Sequence, residues 1–358
     1  MTIIVAFIIA FFFAMNIGGS GAAASMGLAY GAGAIQNKRK ALFLCGICVF
    51  LGAVIGGGEV VKTIGSGIVP QQVFTVKIVI IVLFAATFTL FIANVLGIPL
   101  STSEVTVGSL VGVGIAFQSL YVTALFIIIA SWMIVPFIAF GLAFIVGKGV
   151  IRVEKKYEKE IEGKWKKRLA WLLIGAGCFE AFSAGMNNVA NSVGPLVGAG
   201  LLSVSSGTFY GGLFVALGAV LFGGRVVETN GKKITDLSML QGSSVSATGG
   251  ILVVIASLLG IPVPLTQVTT SGILGIGASK KGFSVWKKSI VHKMLKVWIV
   301  SPVLSLVISY SFIKLLIDFD MYTVIILVCV FVSTVGTISL AETIKKEQQS
   351  TFEHGEGI

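Results

Sequence analysis

FLGAVIGGGEVVKTIG, residues 50–65, returns at residues 216–231 as ALGAVLFGGRVVETNG. Further along, GIPLSTSEVTVGSLVGVGIA (97–116) is echoed by GIPVPLTQVTTSGILGIGAS (260–279). Asn16 in AMNIGG aligns with Asn187 in GMNNVAN, and Trp132 with Pro136 aligns with Trp298 with Pro302. The matches keep one order at offsets of 163 to 171 residues, so the chain reads as a tandem duplication. The expected organisation is repeat one at 1–149, a charged cytoplasmic linker at 150–168, repeat two at 169–342 and a polar tail at 343–358.

The duplicated material is membrane material. The 358 residues are 56% hydrophobic and 11% charged, where soluble domains carry about 25% charged residues. Apolar runs recur at Val79–Leu96, Leu120–Val146, Ile251–Gly260 with its flanks, Val297–Leu316 and Tyr322–Leu340. Each approaches the ~20 residues that cross ~30 Å of hydrocarbon. The N-terminal run has no basic residues ahead of it and reads as a span, not a cleaved signal. An all-α polytopic membrane protein of about 11–12 membrane elements is expected, counting broken helices and re-entrant hairpins. Thr2–Ile35 is too long for one simple span and is expected to be broken.

The net charge of +11 is no sign of nucleic-acid binding, because the cations fall in short runs between apolar segments. These runs are Lys38–Lys40, Lys148–Arg168, Lys232–Lys233, Lys280–Lys293 and Lys345–Lys346, which the positive-inside rule assigns to the cytoplasm. Charge also orients the repeats. Lys38–Lys40 is basic where its counterpart Leu202–Gly207 is neutral, and Phe117–Tyr121 is neutral where Lys280–Lys288 is basic. The two repeats are therefore expected in inverted topology, the architecture of many secondary transporters, with a site near the midplane.

Polar residues concentrate in four apolar stretches. GMNNVANSVGP (185–195) puts three asparagines within five residues, between Gly185 and the pair Gly194 and Pro195. Its partner in repeat one offers Asn16 and Ser20, and the other two stretches offer Ser101, Thr102, Ser103, Thr266 and Thr269. Broken helices at all four would add free N–H groups to a neutral cage of donors suited to an oxyanion. Asn16, Ser20, Ser101, Thr102, Ser103, Asn187, Asn188, Asn191, Thr266 and Thr269 are the candidate substrate ligands.

The bland alternative is that small residues serve helix packing, as GxxxG pairs at Gly27/Gly31, Gly52/Gly56, Gly108/Gly112 and Gly207/Gly211 suggest. Acids within the apolar runs are rare, so Glu104 and Glu180 are candidate proton carriers against a structural role as satisfied buried acids. Glu59/Lys62 and Arg225/Glu228 hold equivalent repeat positions with swapped signs and read as structural ion pairs or gate elements. Cys45 and Cys48 read as small buried hydrophobes, His292 and His354 have no ligand partners nearby, and neither a metal nor a cofactor is expected.

The doubled asparagine motif and the doubled GIPxST-type stretch resemble the inorganic phosphate transporter (PiT) family over residues of about 10–310. The family motif GANDVANxxGP appears here as GMNNVANSVGP and, weakly, as AMNIGGSGAAASMG. Asn188 replaces the family aspartate, Ile17 stands at the equivalent place in repeat one, and STTH becomes STSE at Ser101–Glu104 and PLTQ at Pro264–Gln267. Within the family the resemblance is to the sulfate-permease (CysP-type) branch, which implies secondary, ion-coupled import of sulfate across the inner (plasma) membrane and a homodimer. Sulfate has no proton to share with a carboxylate, so amides in place of aspartates suit it, and a proton fits as coupling ion better than sodium. Phosphate or another tetrahedral oxyanion on the same scaffold, and an anion channel, are the rival readings. No nucleophile–base pair or cofactor fingerprint suggests an enzyme.

Overall fold

A computed structural model describes residues 1–95, 100–233, 237–282, 289–323 and 325–330. The chain folds into helices α1 Thr2–Ile17, α2 Gly27–Gly31, α3 Lys38–Gly56, α4 Gly58–Lys62, α5 Val76–Val95, α6 Thr102–Ala116 and α7 Val122–Lys156. These are followed by α8 Glu158–Glu162, α9 Lys166–Gly198, α10 Val204–Phe222, α11 Gly224–Lys233, α12 Met239–Leu258, α13 Leu265–Lys281 and α14 Ser289–Leu316. Among the described residues seven helices are long and apolar enough to cross a membrane. The chain is an all-α polytopic membrane protein, with shorter apolar helices such as Thr102–Ala116 beside the full spans.

Local chemistry sets the helix starts. Asn37 accepts from the N–H groups of Arg39 and Lys40 to cap α3, while Ser203 and Ser238 cap α10 and α12 through Ser206 and Gln241. Glu154, near the end of α7, accepts from the Ser238 hydroxyl and from Gln241 Nε2, tying the start of α12 to α7. On α7, Phe126, Phe137 and Ile145 are exposed, as a helix facing hydrocarbon requires.

Glycines govern the core packing. A Cβ on Gly52 would lie 1.9 Å from the carbonyl of Phe182, and one on Gly185 would lie 2.0 Å from the carbonyl of Val49. Helices α3 and α9 therefore touch backbone to backbone. The same close approach recurs between the α1 segment and α10, where a Cβ on Gly218 would lie 2.0 Å from Met15 O and one on Gly18 1.9 Å from Val215 O. Gly56 against Met186 repeats as Phe222 against Gly19. Packing, not flexibility, explains these small residues.

Several expectations need correction. The signature 185–195 does not break its helix: α9 runs unbroken from Lys166 to Gly198 with Pro195 inside. Pro195 removes one hydrogen bond near the helix end, and Gly185, Gly194 and Gly198 admit neighbouring backbone and side chains instead of unwinding. Only three of the four polar stretches are interrupted: a π-helical turn at Gly18–Ala22 splits the first, and extended residues precede α6 and α13. The charged stretch 150–168 is helical over most of its length, with α7 continuing to Lys156, α8 at Glu158–Glu162 and α9 starting at Lys166, which is compatible with a charged connection between the halves. Most of Tyr322–Leu340 and the tail 343–358 lie outside the described residues.

Met1–Ser309 form one compact unit, and a second begins at Tyr310. In the second, Lys314 Nζ lies 2.7 Å from Asp318. The Thr323 hydroxyl and N–H donate to Asp320 and hold its carboxyl below the usual carboxylate range.

The glycine contacts generate a test. Gly52→Ala or Gly185→Ala places a methyl inside van der Waals contact and is expected to destabilise by about 1–3 kcal/mol. Gly175→Ala meets nothing within 4 Å and is expected to leave the melting temperature of the detergent-solubilised protein unchanged or slightly raised.

Candidate oxyanion site

Helical spacing places Glu180, Asn187 and Asn191 on one face of α9, toward α12 and the beginnings of α6 and α13. The Asn187 amide nitrogen donates to Ser257 Oγ of α12 and to the Ile261 carbonyl, each at 3.0 Å. Its oxygen accepts from the Val263 N–H, also at 3.0 Å. One buried amide thus fixes the extended turn that leads into α13.

The next two asparagines address α6. Asn191 Nδ2 donates to Thr102 Oγ1 at 3.2 Å and Ser103 Oγ at 3.3 Å, and Thr102 Oγ1 donates to Asn188 Oδ1 at 3.4 Å. Ser103 Oγ reaches across to the Val263 carbonyl at 3.2 Å and closes the ring. All these side chains are buried and none is charged. The starts of α6 and α13 meet at this last bond, so two helix N-termini bring positive potential and free N–H groups to the cluster. Ser101, at the N-cap of α6, makes no side-chain cap bond.

Not every candidate joins this cluster. Asn16 Nδ2 donates to Phe12 O at 3.0 Å and Ser20 Oγ to Asn16 O at 2.7 Å, both within their own helical segment. The duplicated packing gives the reason. Met15 and Phe182, Gly18 and Gly185, and Gly19 and Met186 play matching roles, each pair 167 residues apart. Ser20, not Asn16, therefore stands in the register of Asn187, and Asn16 is one helical turn out of place. In the same register Gly21 corresponds to Asn188, and a Cβ there would lie 3.6 Å from Asn188 Nδ2.

Glu104 and Glu180 lie apart from the ring and differ from each other. Glu104 accepts from Gln267 Nε2 at one oxygen and from the Ser301 hydroxyl at the other. Glu180 accepts from Thr269 Oγ1 at 2.7 Å at Oε1, while Oε2 has no protein partner. Thr266 Oγ1 is buried without a partner. Glu59 pairs with Lys62 at 2.7 Å, and Glu228 pairs across to Lys38 of α3 at 2.6 Å. No cluster of three or more metal-binding side chains exists among the described residues.

A separate apolar cavity of about 600 Å³ is lined by Trp132, Pro136, Trp298 and Pro302, with Glu104 and Gln267 in its wall. These are the aligned positions of the two repeats, brought to one place. Sequence reasoning missed Ser257, Ser301 and the backbone of 261–263, which carry no pattern of their own. Gln267 was findable, because it aligns with Glu104 at an offset of 163 residues. Asn187→Ala would strand the Val263 N–H and Ile261 carbonyl, at about 1–3 kcal/mol for each buried group. Hydrogen–deuterium exchange of the peptide spanning 257–267 is expected to accelerate markedly in that variant, with exchange in α10 unchanged.

Comparison with known proteins follows the same outline. The Phosphate transporter family profile matches residues 17–162 and 149–309. The sulfate permease CysP of Bacillus subtilis (strain 168) is 57% identical over 355 residues, 99% of each chain. A solved structure titled "The sodium-dependent phosphate transporter" superposes with a TM-score of 0.76 at 24% identity, over 88% of this chain and 100% of that one, which speaks for the fold. With both halves matched and a relative this similar along its full length, the chain belongs to the phosphate transporter family.

Proposed function

We propose that the protein is a secondary active transporter that imports sulfate across the bacterial plasma membrane, coupled to protons, by alternating access between two inverted repeats. The carrying observation is the ring of neutral side chains, Asn187, Asn188, Asn191, Thr102 and Ser103, at the meeting point of two helix N-termini. A dianion gains from amide and hydroxyl donors and positive helix ends, and a carboxylate in the ring would repel it. Asn188 in place of the family aspartate supports this choice, as does the similarity to a protein named a sulfate permease.

In this reading sulfate takes the place of bonds the ring now makes within itself. Ser101, Thr266 and Thr269 add donors from the starts of α6 and α13. Asn16 and Ser20 reach the anion only if the interrupted α1 segment shifts between access states. A buried acid, Glu104 or Glu180, carries the proton. Glu59–Lys62 and Lys38–Glu228 lie at helix ends where a gate could act, and Arg225 precedes Glu228 by three residues on α11. The working unit is a homodimer in the bilayer. The family name favours a second reading, a phosphate symporter on the same scaffold.

The test is ³⁵S-sulfate uptake into proteoliposomes under an imposed pH gradient, with and without sodium. Uptake is expected to follow the proton gradient and ignore sodium. Asn188→Asp is expected to lower it more than about tenfold, since a carboxylate within several Å of a dianion costs well over 1.4 kcal/mol at an effective dielectric near 20. Equal competition by phosphate, or uptake driven by sodium alone, would favour the symporter reading. Ohmic current without concentrative uptake would identify a channel.

A further inference from the structure

The two buried acids are not equivalent, and their partners separate them. Glu104 is braced: Gln267 Nε2 donates to one oxygen and the Ser301 hydroxyl of α14 to the other, with Gln267 Oε1 left buried and unpaired. The brace joins three elements, α6, α13 and α14. A proton arriving on Glu104 would have to displace or reverse one of these donors.

Glu180 is half-satisfied. Thr269 Oγ1 of α13 donates to Oε1 at 2.7 Å, but Oε2 is buried and accepts no hydrogen bond from the protein. The Ser246 hydroxyl of α12 lies close enough to interact with the Glu180 carboxylate, although it is not in hydrogen-bond geometry with Oε2. The residue is 1% exposed, and no cation pairs with it among the described residues. The other groups around it are the Gly249 and Gly250 positions of α12 and the Cys45 thiol of α3. That thiol is already engaged with the Ala22 carbonyl at 3.2 Å. Beyond it, Cys48 of α3 and Cys178 of α9 interact with each other.

Such a site suits a mobile proton. A buried carboxylate oxygen with no donor is costly when ionised, and once protonated it becomes a donor to a waiting hydroxyl oxygen. Its position adds the second half of the argument. Asn187 follows Glu180 by seven residues on the same helix face, about 10 Å at 1.5 Å per residue. An ionised Glu180 repels a dianion in the ring and a neutral one does not, so proton and sulfate each favour the binding of the other.

Resting on the sulfate–proton reading above, we infer that Glu180 is the exchangeable proton site of the transport cycle, whereas Glu104 is a fixed brace between the repeats. Oε2 takes a proton from water admitted in one access state, shares it with Ser246 Oγ while sulfate is bound, and returns it to water in the other state.

The experiment compares the full-length wild type with Glu180→Gln, Glu180→Asp and Glu104→Gln in proteoliposomes. Two readouts are taken: accumulation of ³⁵S-sulfate driven by a pH gradient, and one-for-one sulfate exchange at equal pH across the membrane, measured from pH 5 to pH 9. Glu180→Gln is expected to lose accumulation above the equilibrium level and to flatten the pH profile of exchange. Glu180→Asp is expected to recover part of the accumulation. Glu104→Gln is expected to lower the melting temperature and the rate while its pH profile keeps the wild-type shape.

Undiminished gradient-driven accumulation in Glu180→Gln, or a pH profile flattened by Glu104→Gln alone, would overturn the inference and leave proton-coupled sulfate import standing. A wild type that accumulates sulfate without any response to the pH gradient would overturn the proton reading, and the inference with it. If Glu180→Gln fails to insert or fold, Ser246→Ala gives the same decision. It removes the acceptor for the proton and is expected to shift the pH profile of exchange, and an unshifted profile counts against the inference.

Discussion

A helix can carry three amides through an apolar interior only if each amide finds partners outside its own helix. In an apolar interior an unpaired amide costs on the order of 1–3 kcal/mol even by the milder scales. In α9 most of the demand is met by neighbours: Asn187 by α12 and the turn before α13, Asn188 Oδ1 and Asn191 Nδ2 by the start of α6, while Asn191 Oδ1 is left without a protein partner. The amides are therefore both the reason these segments converge and the material of the site they form. The short α6 and the extended turn at 261–263 are stable where they are because α9 supplies the bonds their irregular backbone lacks.

Convergence also needs room. Lipid offers little hydrophobic drive for one helix to bury against another, so close backbone approach and side-chain hydrogen bonds carry the association. Gly52 against Phe182 and Gly185 against Val49 let α3 lie directly on α9. The same device seats α1 on α10 through Gly18 and Gly218. Both crossings join an element of the first half to one of the second and leave the signature face of α9 free to turn its amides inward. Hydrogen-bonding polarity and backbone proximity are separate tasks, assigned to different residues of a single helix.

Much of this was legible in the sequence, because the informative signals were ones of pattern and repetition. Long apolar runs, duplicated blocks and positional matches such as Trp132 with Trp298 survive without coordinates. What failed was the inference that Gly, Pro and Asn must break a helix in hydrocarbon. That rule holds for a segment considered alone, but the neighbours of α9 satisfy the side chains and use the glycines for contact. The alignment of Asn16 with Asn187 failed for a related reason: letter identity matched the amides, while the glycine contacts show a register one turn away. Lone serines such as Ser257 and Ser301 were illegible because a single hydroxyl can bond its own helix as readily as a neighbour.

Glu104 and Gln267 occupy the same position of the duplicated sequence, yet they touch each other. Two copies of the first half would bring carboxylate against carboxylate at that point, and two copies of the second half amide against amide. Only the unlike pair sets an acceptor charge against a donor and leaves the second carboxylate oxygen for Ser301. The halves are thus complementary parts and no longer interchangeable ones. Fusion into a single chain guarantees that each first half always meets a second half, which two separately made subunits drawn from a common pool could not ensure.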